Sequence, residues 1–165
     1  MKTFAVLLLM ILFVVCHCDA GASNKELIKR VTNGGSVHYS WFQAIAKVES
    51  NFNHTVMGDK GKAYGLFQIH KSAAIEAGYL LELEASIEDA HLNVLIGLFY
   101  FYVLYNRLNK NLACTISAYN KGPNFPDING NCRHHAYYKK VKLARERLCK
   151  SLRRKHEKDY YRREQ

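Results

Sequence analysis

The sequence predicts a mainly α-helical domain with one central buried helix and a small irregular loop or hairpin. Three observations carry this expectation. Apolar residues recur at helical spacing in five separate stretches. One of them, residues 90–108, is apolar nearly all round. A glycine-broken, polar segment over residues 53–69 interrupts the helical pattern. The chain has 165 residues, 48% hydrophobic and 23% charged, with two prolines. That suits one globular domain and excludes collagen-like, proline-rich and wholly disordered chains.

The elements follow in order. Met1-Lys2, the unbroken apolar run of 12 residues from Phe4 to Val15 and the small residues Ala20-Gly21-Ala22 have the layout of a secretory signal peptide over residues 1–22. The run falls short of the ~20 apolar residues a membrane span needs, and Val14-Val15 before Cys16 does not suit lipidation. Ser23-Asn24 reads as the cap of a short helix bearing Leu27, Ile28 and Val31, closed by Gly34-Gly35. A second helix is expected over Ser36 to Val48, with Trp41, Ile45 and Val48 toward the core and Glu49 just past its end. Ser86 is the expected cap of the central helix, with Asp89 as its acidic partner and Ala90 to Leu108 as its body. Asn111 to Tyr119 reads as a shorter helix ended by Gly122-Pro123, and Asn124 to Asn131 as loop. His134 to about Arg154 reads as a basic amphipathic helix whose inner side carries Tyr137 or Tyr138, Val141, Ala144, Leu148 and Leu152. The expected division is therefore a signal peptide (1–22), a domain (23–149) and a basic tail (150–165).

Charge is unevenly spread. The chain carries +10, of which residues 139–165 hold +8, from 12 Lys/Arg and 4 Asp/Glu. Such a stretch is either a solvated helix face or an attachment point for an anionic polymer or membrane surface; nucleic acid is not expected for an exported chain. Without residues 1–22 three cysteines remain, Cys114, Cys132 and Cys149, which allow one disulfide in any of three pairings. His134-His135 would point about 100° apart on a helix, so no metal site is expected and no cofactor is called for.

Four short segments carry chemistry-bearing side chains: Glu49-Ser50-Asn51-Phe52; Gly65-Leu66-Phe67-Gln68-Ile69; Asp89-x-x-x-Asn93-x-x-x-Gly97; and Ala118-Tyr119-Asn120-Lys121-Gly122-Pro123. In this order and spacing they resemble the soluble lytic transglycosylase family, whose catalytic domain is related to goose-type lysozyme. The family pattern runs E-S-x-F, G-L-M-Q-I/L, D-P-x-x-N-I-x-x-G, A-Y-N-A-G, and the resemblance spans about Trp41 to Tyr138. Phe67 stands for the usual Met, Ala90 for Pro, and Lys121 for a small residue.

The resemblance implies a lysozyme-like α (α+β) domain acting on peptidoglycan and, in its compact form, accompanying secretion, conjugation or phage machinery; the signal-peptide layout makes it an exported, secreted or periplasmic protein, and a monomer is expected. It implies a lytic transglycosylase that cleaves the β-1,4 bond between N-acetylmuramic acid and N-acetylglucosamine and leaves a 1,6-anhydro sugar. Glu49 would be the catalytic acid and base, with Ser50, Gln68, Tyr119 and Asn120 binding substrate. A glutamic acid that must hold its proton needs a partly apolar pocket; Phe52, Phe67 and Tyr119 are the expected wall. A hydrolytic goose-type-like lysozyme and a non-catalytic, cationic wall-binding protein are the alternatives. Asp59 is a weaker candidate for a second carboxylate, since Asp-Lys-Gly is ordinary turn chemistry. Asn53-His54-Thr55 matches a glycosylation sequon, but a glycan there would crowd the cleft.

Overall fold

The structure, a computed structural model, describes residues 23–32, 38–75, 87–122, 125 and 132–163. The expected signal peptide, the Gly34-Gly35 stop and the Ser86 cap lie outside those residues. Helix α1 (Asn24–Val31) begins as expected, with the Ser23 hydroxyl accepting from the Glu26 amide at 3.3 Å. Helix α2 spans Tyr39–Ser50, so it runs past Val48 and takes Glu49 into its last turn. Asn51 ends it in the left-handed conformation, and Phe52 follows at φ 65°.

The irregular segment forms a small antiparallel sheet in the order β1 (Met57–Gly58), β2 (Ala63–Tyr64), β3 (Ile69–His70), with a 3-10 turn at Asp59–Gly61 between the first two. Helix α3 (Ala90–Arg107) is the expected central helix. Its cap is Asp89 itself, whose carboxylate accepts from the Leu92 amide at 2.8 Å. Its most buried side is the Asn93, Val94, Gly97, Phe101, Leu104 stripe, while Leu95, Phe99, Tyr102 and Val103 are half-buried.

Helix α4 (Leu112–Lys121) is capped by Asn111 and ended by Gly122 at φ 91°. Helix α5 runs over Ala136–Arg163, nine residues beyond the expected end. Its first half lies against α2: Tyr138 stacks on Trp41 with ring centroids 6.0 Å apart, the Arg145 guanidinium sits 4.6 Å from the Trp41 ring, and Arg145 Nε donates to Ser40 Oγ at 2.8 Å. Phe42, Phe67 and Phe101 meet at the centre of the core, with centroids 4.8 and 5.6 Å from Phe42. Of the three open pairings, Cys114–Cys132 is the disulfide, joining α4 to the short 3-10 turn before α5; Cys149 is free.

Candidate active site

The four sequence segments converge on one turn, Gly65 to Gln68. Gly65 has φ +72°, a conformation a side chain disfavours, and a Cβ there would run into the Asn93 amide. Asn93, fully buried on α3, accepts from the Phe67 amide at 3.0 Å and donates to the Tyr64 carbonyl at 2.9 Å and the Ile87 carbonyl at 3.0 Å. One turn further along α3 stands Gly97, where a Cβ would approach within 2.8 Å of the Phe67 ring. The polar and small stripe of α3 is thus a three-part fixture: Asp89 caps, Asn93 pins the turn, Gly97 makes room for its phenyl ring. Burying an amide with every donor and acceptor satisfied makes such a fixture rigid.

The other three segments hold the same turn. The buried Ser50 hydroxyl lies 2.9 Å from the Leu66 carbonyl and 3.0 Å from that of Ala46, so its one proton bridges α2 and the turn. The Tyr119 hydroxyl donates to the Phe67 carbonyl at 3.2 Å. Gln68, at φ 47°, spends both amide hydrogens on the Val56 and Gly65 carbonyls at 2.9 Å each. Asn120 is exposed at the end of α4. Ser50, Gln68 and Tyr119 therefore stand together around the turn, the two hydroxyls and the Gln68 amide nitrogen bonded to backbone carbonyls.

Glu49 leaves α2 beside this fixture, and its carboxylate accepts a short hydrogen bond from the Tyr137 hydroxyl of α5. Burial pushes its pKa above the ordinary carboxyl value; the Tyr137 hydrogen bond and the charges of Lys140 and His70 pull the other way without cancelling it. Tyr137 and Tyr119 are both held far above the ordinary phenol range, first by burial and then by the Glu49 charge. Two phenols thus form the wall, with Tyr137 bonded to the acid. Phe67 is fully buried behind the turn, and Phe52 is half-buried with Lys25 and Lys47 over its ring. Asp59 is exposed in the 3-10 turn between β1 and β2, 3.6 Å from His70 Nε2. A groove of about 400 Å³ opens beside the turn, lined by Val56, Met57, Tyr64, Gly65 and Glu88 among others; Glu49 is not part of its lining.

Sequence reasoning gave Tyr137 only as one of two tyrosines for the inner side of the last helix. Its partner stands 88 residues away, and helical spacing alone does not choose between Tyr137 and Tyr138.

The sequence model of the transglycosylase SLT domain matches residues 26–140. The chain belongs to this family. The SLT domain accounts for α1 to α4, the sheet and the start of α5, and leaves the rest of α5 unmatched. The chain is 31% identical over 103 residues to the soluble lytic murein transglycosylase of Escherichia coli K12, covering 59% of this chain and 16% of that relative. It therefore spans about a sixth of the length of the curated relatives it matches. Among solved structures it is similar to the 70 kDa soluble lytic transglycosylase of Escherichia coli (31% identity, TM-score 0.53, 59% of this chain and 16% of that one). It also resembles an inactive mutant of the lytic transglycosylase Slt from Pseudomonas aeruginosa (26% identity, TM-score 0.53, 59% and 16%). The fold is the lysozyme-like one expected.

Proposed function

We propose that the chain is a peptidoglycan lytic transglycosylase with Glu49 as its single acid and base. The observation that carries this reading is the state of Glu49: half-buried at the end of α2, bonded to the Tyr137 hydroxyl and raised in pKa by burial. A buried glutamic acid retains its proton to higher pH and can give it to a leaving glycosidic oxygen. Glycosidases that use water or a covalent intermediate set a second carboxyl group across the bond, about 5 to 9.5 Å from the first. Here the substrate's own C6 hydroxyl takes that part.

The balance is complete without water. Glu49 protonates the oxygen leaving C1 of N-acetylmuramic acid, and the C1–O bond breaks. The resulting carboxylate then takes the proton of the C6 hydroxyl, whose oxygen bonds to C1 and closes the 1,6-anhydro ring. Glu49 ends protonated, ready for the next cycle. Tyr137 holds the carboxyl and steadies its charge between the two transfers. Ser50, Gln68 and Tyr119 act by fixing the turn beside it, and the exposed Asn120 at the end of α4 is left to meet sugar. The same reading places the protein outside the cytoplasm, exported through residues 1–22, working as a monomer.

Purified peptidoglycan incubated with the protein tests this directly. The expected product is lighter by one water than a hydrolytic muropeptide. A reducing-end product identifies the hydrolytic, lysozyme-type reaction instead, and equal wall clearing by wild type and Glu49→Gln identifies a non-catalytic binder.

A further inference from the structure

Helix α5 outruns the domain it belongs to. Its packed residues are Tyr137, Tyr138, Val141, Ala144 and Leu148; beyond them residues 150–157 are exposed one after another, and the family match ends at residue 140. At 3.6 residues per turn, Lys140, Arg147, Lys150, Arg154 and Arg162 stand within an arc of about 120°, beside the packed side, over a length of about 33 Å. All five are exposed, and among the described residues none of the five is in an ion pair. Arg147 with Lys150, and Lys150 with Arg154, are like charges at helical neighbour spacing, which destabilises a bare helix. A bound polyanion would remove that repulsion.

The stripe has a direction. Its first member, Lys140, stands three residues along α5 from Tyr137, whose hydroxyl bonds Glu49, and its charge bears on that carboxyl. A polymer lying along the stripe therefore leads into the site. Among the described residues, the exposed apolar ones of α5, Leu143, Leu152 and Tyr160, stand on different sides of the helix and form no single apolar face.

We infer that the α5 stripe is a binding track for the carboxylate groups carried along the same glycan strand whose sugar bond is held at Glu49. This rests on the proposed function for the identity of the strand. Peptidoglycan suits the track because its muramic acid units bear lactyl groups and peptides with free carboxylates at regular intervals. The track would hold the enzyme on its polymer between cuts, by attraction that salt screens.

The test uses the full chain in a Glu49→Gln background, so that the wall stays intact, with and without Arg147→Gln, Lys150→Gln, Arg154→Gln and Arg162→Gln together. Each protein is co-sedimented with purified insoluble peptidoglycan, with the same material after its carboxylates are converted to amides, and with vesicles of equal parts phosphatidylglycerol and phosphatidylcholine. Circular dichroism checks that α5 remains helical. The expected result is retention on native wall about tenfold weaker for the fourfold variant, with a shallower salt dependence, equally weak retention of both proteins on amidated wall, and none on vesicles. Equal retention of the two proteins on native wall overturns the inference, as does retention indifferent to amidation or stronger on vesicles. A separate arm, with Glu49 restored, follows turnover of a short soluble muropeptide that fills only the cleft. The fourfold variant keeps its kcat there and loses KM only on polymer. Absence of any product from wild type with either substrate sinks the proposed function, while sedimentation still reads the track.

Discussion

The turn at Gly65–Gln68 and the outer half of α5 handle polar groups in opposite ways. Around the turn, Ser50, Asn93 and Tyr119 are buried, and each spends its polar atoms on named backbone partners. On outer α5 the charges are exposed, and the stripe they form has no ion pairs among the described residues. The first arrangement is costly to disturb, because an orphaned buried group forfeits its hydration without replacement. The second is cheap to disturb in the free protein, because water already solvates it. The difference teaches where each class of function can sit: a pKa is shifted beside a rigid, buried fixture, whereas a solvated edge is suited to meeting a long polymer.

The largest expected break is chemical. Glu49→Gln should lower wall-degrading activity by about 10³-fold, a loss read by released muropeptides. It should also raise thermal stability at neutral pH. A carboxyl whose folded pKa is raised contributes stability that is fully present below its ordinary pKa and lost as pH rises through the folded one. The amide has no such loss, so the melting temperatures of the two proteins should diverge as pH rises.

Next comes the fixture. Asn93→Ala strips partners from the Phe67 amide and the Tyr64 and Ile87 carbonyls and should cost about 3 kcal/mol or more in denaturant unfolding. Gly97→Ala drives a methyl group into the Phe67 ring and should cost about 1–3 kcal/mol while displacing the turn. Tyr137→Phe keeps the buried ring and removes the donor to Glu49. Since that hydrogen bond favours the charged carboxylate, its loss should raise the Glu49 pKa further. The alkaline limb of the pH–rate profile should then move to higher pH as kcat falls. The smallest effect closes the series: neutralising Arg154 and Arg162 should change unfolding free energy by no more than about 0.5 kcal/mol. A large loss there would erase the contrast between the two regions.

Much of the fold was legible because it rests on local signals. The Ser23 cap, the Asn111 helix start and the Gly122 stop are short-range chemistry, and the structure has all three where the spacing puts them. At the end of α2 packing outweighed the local signal, whereas the outer half of α5 extends without it. Helix α2 continues to Ser50 because Ser50 bonds the Leu66 carbonyl and so anchors a further half-turn, and α5 continues to Arg163 past the last apolar residue of its inner side. The Glu49 segment and the turn were legible as motifs. That Ser50, Gln68 and Tyr119 donate to backbone carbonyls, and that Tyr137 rather than Tyr119 bonds Glu49, were not, since both depend on which groups meet across α2, α4, α5 and the sheet. Nor does cysteine count choose a pairing; Cys114 and Cys132 are joined because the end of the α4–α5 connection returns beside the start of α4.

The account stands on the ionisation of one carboxyl group. Carbon-13 NMR titration of the Glu49 side chain, assigned by loss of its signal in Glu49→Gln, reads that directly. The predicted result is a midpoint above the ordinary carboxyl value of 4.5, moving higher still in Tyr137→Phe. A midpoint at or below 4.5 in wild type would contradict it, because an acid already ionised there has no proton to give the sugar bridge.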